Sequence, residues 1–171
     1  LSAAPLYMAI GPDGRTAASM TKDELTVFDT DSMEVLASLP TEGSALSEAE
    51  YLDSSRIVYA GAEGICVYDI EQKEKLWSGS RATGICVSGD GRTVAGVYRD
   101  ESQAVIYDAE TGAVKYTADF SGKHQQVTVN DIFANPNDNL LALNYDGTLL
   151  GVSFADGSLK GFNLEDQEGD I

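Results

Sequence analysis

Residues able to do chemistry are few in this chain, and their spacing suits little of it. His124 is the single histidine, so a Ser-His-Asp triad would have to use it. No Gly-x-Ser-x-Gly turn presents a serine nucleophile to that imidazole. A structural or catalytic zinc needs several nitrogen or sulfur ligands in tetrahedral array, and the chain offers His124, Cys66 and Cys86. The stretch from Gly89 to Thr93 reads Gly-Asp-Gly-Arg-Thr. It lacks the Gly-Lys-Ser/Thr ending of a phosphate loop and runs into a strand-like segment.

Hard cations are the remaining chemistry to weigh. Asp29-Thr30-Asp31-Ser32-Met33-Glu34 and the run from Asn135 to Asn139 carry closely spaced oxygen donors, which calcium prefers. Neither has the sixth-position Gly and twelfth-position Glu of an EF-hand. Asp and Asn also crowd turns because their side chains bond nearby backbone amides. Turn formation is therefore the reading taken, and no metal, cofactor or catalytic residue is expected.

Charge narrows the partners. Acidic residues number 28 against 11 basic, a net −17, with an isoelectric point near 4.1. Nucleic-acid binders neutralise phosphates with Lys and Arg, and anionic lipids attract basic segments; both are poor partners here. A hydrophobic content of 43% still argues for a folded domain. No uncharged apolar run approaches the ~18 residues of a membrane span. Lys22-Asp23-Glu24-Leu25 spells an endoplasmic-reticulum retention signal, but that address is read only at a C-terminus. The opening LSAAPLYMAI does not begin with Met and has no basic flank, and reads as a cut rather than a leader.

The elements that would position any of these residues come from a repeat. GPDGRTAASM, LDSSRIVYAG, SGDGRTVAGV and NYDGTLLGVS align on Asp13, Asp53, Asp90 and Asp146. An aromatic-acid or aromatic-Asn pair follows each: Phe28-Asp29, Tyr68-Asp69, Tyr107-Asp108 and Phe162-Asn163. Asp-Gly turns accept the positive φ of tight hairpins, and alternating runs such as Val105-Ile106-Tyr107 favour strands. The expectation is an all-β chain of four-stranded antiparallel meanders, each near 40 residues, with the last unit stopping at its third strand.

That pattern resembles the WD-repeat β-propeller superfamily, most clearly in LALNYDGTLLGVSFADGSLKGFNL, and also bacterial quinoprotein-like and YVTN-type propellers. The Gly-His pair of the consensus is absent, and Phe or Tyr stands where Trp-Asp would. The resemblance implies blades near 6–40, 48–79, 84–120 and 140–165, with an insertion at 121–139, all within one partial propeller spanning 1–171. Four blades are fewer than the seven most common in such rings, so an excerpt of a larger propeller is expected. A homodimer closing through uncovered blade edges is the alternative. Cys66 and Cys86 fall on a third strand and a first strand, at different radii, and are expected as buried small hydrophobes rather than a disulfide. The aromatic rings should pack between blades, and the acids should satisfy hairpin amides.

The resemblance also sorts loops onto two faces. Asp23, Glu24, Glu63, Arg99, Asp100, Glu101 and Asp156, with Lys22, are assigned to the face that meets partners in such proteins. Ordinary solvated loop charges are the plainer reading of them, and the preferred one. The 121–139 segment, with His124 and a strand-like middle at Val127–Ala134, is longer than loops usually are without a role. It reads as an inert decorated connection or a partner-contacting insertion. The leading functional expectation is a non-catalytic interaction module binding a protein or peptide, preferably basic. Small-ligand or cofactor binding in the central channel of a complete ring is the second class, and a purely architectural role in a larger protein the third.

Overall fold

Short runs rich in β-branched and aromatic residues, cut by Asp- and Gly-bearing turns, fold as strands in the computed structural model. The structure describes residues 5–41, 48–61, 63–98, 100–119, 132–135, 140–145, 148–153, 157 and 159–163. Its first sheet is β1 (Tyr7–Ile10), β2 (Thr16–Met20), β3 (Glu24–Asp29) and β4 (Val35–Pro40). The second holds β5 (Ala49–Tyr51), β6 (Arg56–Gly61), β7 (Gly64–Asp69) and β8 (Glu74–Ser78). The third holds β9 (Gly84–Val87), β10 (Thr93–Tyr98), β11 (Gln103–Asp108) and β12 (Val114–Asp119). The last holds β13 (Ile132–Asn135), β14 (Leu140–Tyr145), β15 (Thr148–Ser153) and β16 (Leu159–Asn163). Each is an antiparallel meander in sequence order, and no helix occurs among the described residues.

Successive sheets pack face to face. Ala18, Met20, Leu25 and Val27 of the first sheet form one core with Ala49, Ile57 and Tyr59 of the second. Val58, Ile65 and Val67 of the second form the next with Ile85, Val87, Val94 and Tyr107 of the third. Strand side chains alternate between faces, so a middle strand feeds two cores. That is why β10 is buried along its whole length. Each fully buried Val or Ile contributes about 1.5–3 kcal/mol. The first strands line up, β1 against β5, β5 against β9 and β9 against β13. Among the described residues no comparable packing joins β13 to β1, so the sheets form a propeller arc.

The aromatic-acid pairs close third strands, as expected for three of them. Asp29 Oδ1 accepts the amides of Asp31 and Ser32 at 3.0 and 2.7 Å. Asp108 Oδ1 accepts those of Glu110 and Thr111 at 3.2 and 3.0 Å, and Asp69 Oδ1 accepts that of Gln72 at 2.7 Å. The oxygen offered as a calcium ligand at Asp29 is thus engaged in its own turn. Cys66 on β7 and Cys86 on β9 are both buried thiols.

The last sheet is assembled one strand earlier than its turn motifs imply. Ile132–Asn135, within the expected insertion, is its innermost strand and pairs with Leu140–Leu143. The sheet therefore has four strands and does not lack its outer one. Phe162-Asn163 ends the fourth strand, not the third. Asp146 lies outside the described residues, and its segment joins β14 to β15, a second hairpin rather than a first. The cause is physical: every hairpin in a meander admits an Asp-Gly turn, so that motif cannot say which hairpin it closes. Most of the expected insertion, 121–131 and 136–139, lies outside the described residues.

Candidate functional site

Five of the expected contact residues sit in loops between second and third strands. Asp23 and Glu24 lie at the β2–β3 turn, Glu63 at β6–β7, and Asp100 and Glu101 at β10–β11; all are exposed. The equivalent position in three successive meanders puts these loops at one end of the sheets, five carboxylates together. Local chemistry fixes each loop. The Thr21 hydroxyl accepts the amides of Asp23 and Glu24 at 3.4 and 3.1 Å. The Asp23 carbonyl then accepts the Thr41 amide at 3.0 Å, which ties the following inter-sheet connection to the same end. Ser102 closes the third loop at φ 52°. Arg99, His124 and Asp156 lie outside the described residues.

Two of the five carboxylates already have partners. Glu24 accepts a hydrogen bond from the Ser38 hydroxyl. Glu63 pairs with Lys75, whose ammonium holds the Glu63 carboxyl below its ordinary range by hydrogen bond and charge. Behind Glu63 a cleft of about 250 Å³ opens between the first two sheets, lined by Leu39, Pro40, Tyr59, Cys66, Tyr68 and the Glu63–Lys75 pair. Burial pushes the Tyr59 hydroxyl and the Cys66 thiol above their ordinary values. The cleft offers an apolar hollow with the Glu63–Lys75 ion pair at its rim.

A second cluster escaped the sequence reading. Glu48 and Glu50 flank Ala49 at the innermost strand of the second sheet and reach across to the third. Glu48 Oε2 accepts the Ile85 amide at 3.1 Å, and Glu50 Oε2 accepts the Val87 amide at 2.8 Å. Ser88 donates its amide to Thr93 of β10 at 3.0 Å. Alternation along β9 then turns the Ile85 and Val87 amides away from β10. The two carboxylates thus stand in for a missing strand. Burial raises the Glu50 carboxyl to about 7, the Val87 amide opposes the rise, and the Glu48 charge adds to it. Tyr7 on β1 and Cys86 on β9 are the other titratable groups that sense this pair, and both are pushed up, by burial first. The signal was present in Glu-Ala-Glu, two acids two residues apart on one face of a short strand.

Comparison with known proteins bears on the fold. No protein-family profile matches the chain, and no curated protein does. Among solved structures it is similar to "Dihydro-heme d1 dehydrogenase NirN in complex with DHE", with a TM-score of 0.71 and 19% identity. The match covers 96% of this chain and 38% of that one. The chain thus spans about two fifths of the length of that protein, and at this identity the likeness is one of architecture, an all-β propeller.

Proposed function

We propose that the chain is a non-catalytic interaction module that displays the acidic end of its sheets to a basic protein or peptide. The observation that carries this reading is the clustering of Asp23, Glu24, Glu63, Asp100 and Glu101 at one end of three consecutive sheets. The neighbouring cleft between Leu39, Tyr59 and Tyr68 would take one apolar side chain of such a peptide. Stacked sheets hold the loops in place, so little ordering entropy opposes binding. Acidic loops speed encounter with a basic partner, and salt suppresses that gain.

The test is titration of a Lys/Arg-rich peptide carrying one Leu or Phe, followed by anisotropy at rising ionic strength. Affinity should fall with salt and fall again in Asp100→Lys/Glu101→Lys. Binding indifferent to both would remove the reading. A second reading, small-ligand binding along the axis, is favoured by Glu48, Glu50 and Tyr7 converging on the inner strands, and NirN itself is described in complex with DHE. Stabilisation of this chain by small molecules, lost in Glu50→Ala, would move weight to it.

A further inference from the structure

The cleft between the first two sheets holds a side chain that departs from the repeat. Strand register sets one fourth-strand residue opposite each third-strand aromatic: Val35 beside Phe28, Val114 beside Tyr107, and Lys75 beside Tyr68. Of these three positions, two are valine and the second sheet alone has an ammonium. Lys75 pairs with Glu63, which precedes β7, whereas Tyr68 lies near the end of that strand. At ~3.3 Å per residue the separation along β7 is roughly 16 Å, so the two side chains meet only by running along the strand past Cys66. Both line the cleft with Leu39, Pro40, Tyr59 and Tyr68. Burial raises the Cys66 thiol and the Lys75 charge pulls it back, as an ammonium held near that sulfur should. The Lys75 stem thus lies along the cleft as a removable cover, and 44% of its side chain is still exposed.

We propose that the cleft reads a pair of partner side chains: an apolar one that replaces the Lys75 stem, and a lysine or arginine that replaces its ammonium on Glu63. The pair gives the basic peptide of the acidic-end reading, on which this proposal rests, a sequence motif. Side chains two positions apart in an extended segment point the same way, about 7 Å from each other. An apolar residue over Tyr59 and Tyr68 then sets a basic residue two positions on beside Glu63. Charge favours that occupant. Asp23, whose carbonyl holds the Thr41 amide next to Pro40, adds a second exposed carboxylate at the first-sheet wall. Exchanging one exposed ion pair for another is close to neutral, and the displaced Lys75 ammonium returns to water. The gain comes from the apolar side chain leaving water. Entering alone, it would break the Lys75–Glu63 pair and put nothing in its place.

Two Gly/Ser-based peptides with the same Leu and Lys content test it on the intact chain. In one, the Leu stands two positions before a Lys; in the other, a Gly/Ser spacer keeps the Leu away from every Lys. Fluorescence anisotropy at low salt should show the paired peptide binding about fivefold tighter than the spaced one. Glu63→Gln, a change in an exposed turn, should abolish that preference and leave the spaced peptide within about twofold of its wild-type affinity. Circular dichroism confirms that the variant is folded. Equal binding of the two peptides, or a preference that survives Glu63→Gln, would overturn the proposal. The acidic-end reading would stand in that case if binding still fell with salt and in Asp100→Lys/Glu101→Lys. Failure of both peptides to bind at low salt would overturn the two together.

Discussion

The indole nitrogen of Trp77 donates a hydrogen bond to the Ala109 carbonyl at 2.9 Å, joining the fourth strand of one sheet to the third-strand turn of the next. The ring also stands over Gly112, where a Cβ would come 2.7 Å from it. Tyr107 lies alongside, with ring centroids 5.6 Å apart. The same relation recurs one sheet on, where a Cβ at Gly157 would meet Tyr116 at 2.8 Å. Ala37 occupies the Trp77 position in the first sheet, and there the facing turn residue is Lys73 at φ 57°. A bulky fourth-strand side chain thus goes with glycine beneath it, and a small one admits a side chain.

Gly112→Ala should therefore destabilise the chain twice over. Gly112 has φ +71°, which costs a Cβ-bearing residue roughly 1 kcal/mol, and overpacking against the indole adds about 1–3 kcal/mol. Trp77→Phe removes the bond to Ala109 and should cost about 1–2 kcal/mol. Urea unfolding followed by far-ultraviolet dichroism measures both. A Gly112→Ala midpoint equal to wild type would count against the stacking account.

Asp53 should matter more than an exposed turn acid ordinarily does. It accepts the amides of Ser55 and Arg56 at 2.9 and 2.8 Å and pairs with the Arg56 guanidinium at 2.7 Å. Asp53→Ala should cost about 1–2 kcal/mol, read as a lower midpoint in thermal melts.

Acid should weaken these turns. Burial opposes ionisation of Asp53, but the Arg56 and Ser55 hydrogen bonds outweigh it and lower its pKa. Hydrogen bonds from Ser88 to Asp90 and from Thr111 to Asp108 lower theirs as well. A depressed folded-state pKa gives stability that is full above the ordinary value of 3.8 and lost as pH falls through the folded one. Melting temperature should drop steeply below that value. Asp53→Ala should show a shallower drop.

Glu50 has the opposite sign. Its folded-state pKa, about 7, stands above the ordinary 4.5, so the folded chain holds this proton more tightly than the unfolded chain does. Stability from this group is full below 4.5 and declines as pH rises through 7. Glu50→Gln keeps an acceptor for the Val87 amide without the charge, and should flatten the fall in melting temperature between pH 5 and 8. An unchanged slope would show that Glu50 does not titrate there.

Lys75 should restrain partner binding. Its ammonium engages Glu63 at the rim of the cleft, so Lys75→Ala should release that carboxylate and tighten a basic peptide about two- to threefold, as expected of an exposed pair. Isothermal titration at low salt is the measurement.

The repeat carried most of the architecture. Turn chemistry is local, so Asp29, Asp53, Asp90 and Asp108 announced their hairpins in the sequence, and alternation in runs such as Val105–Tyr107 announced strands between them. The loop acids followed once the meander was counted. The last sheet did not, because Asp-Gly marks a hairpin without saying which strands flank it, so the local hairpin that pairs Ile132–Asn135 with Leu140–Leu143 reads as part of an insertion. Glu48 and Glu50 were out of reach for a different reason. Their acceptor role depends on the amides of Ile85 and Val87, 37 residues away, and no local pattern encodes a partner at that distance. Packing between sheets also set which apolar residues are covered. Met8, Ala49 and Ile85 share one position in the repeat, yet Met8 is 61% exposed while Ala49 and Ile85, each packed on the preceding sheet, are buried.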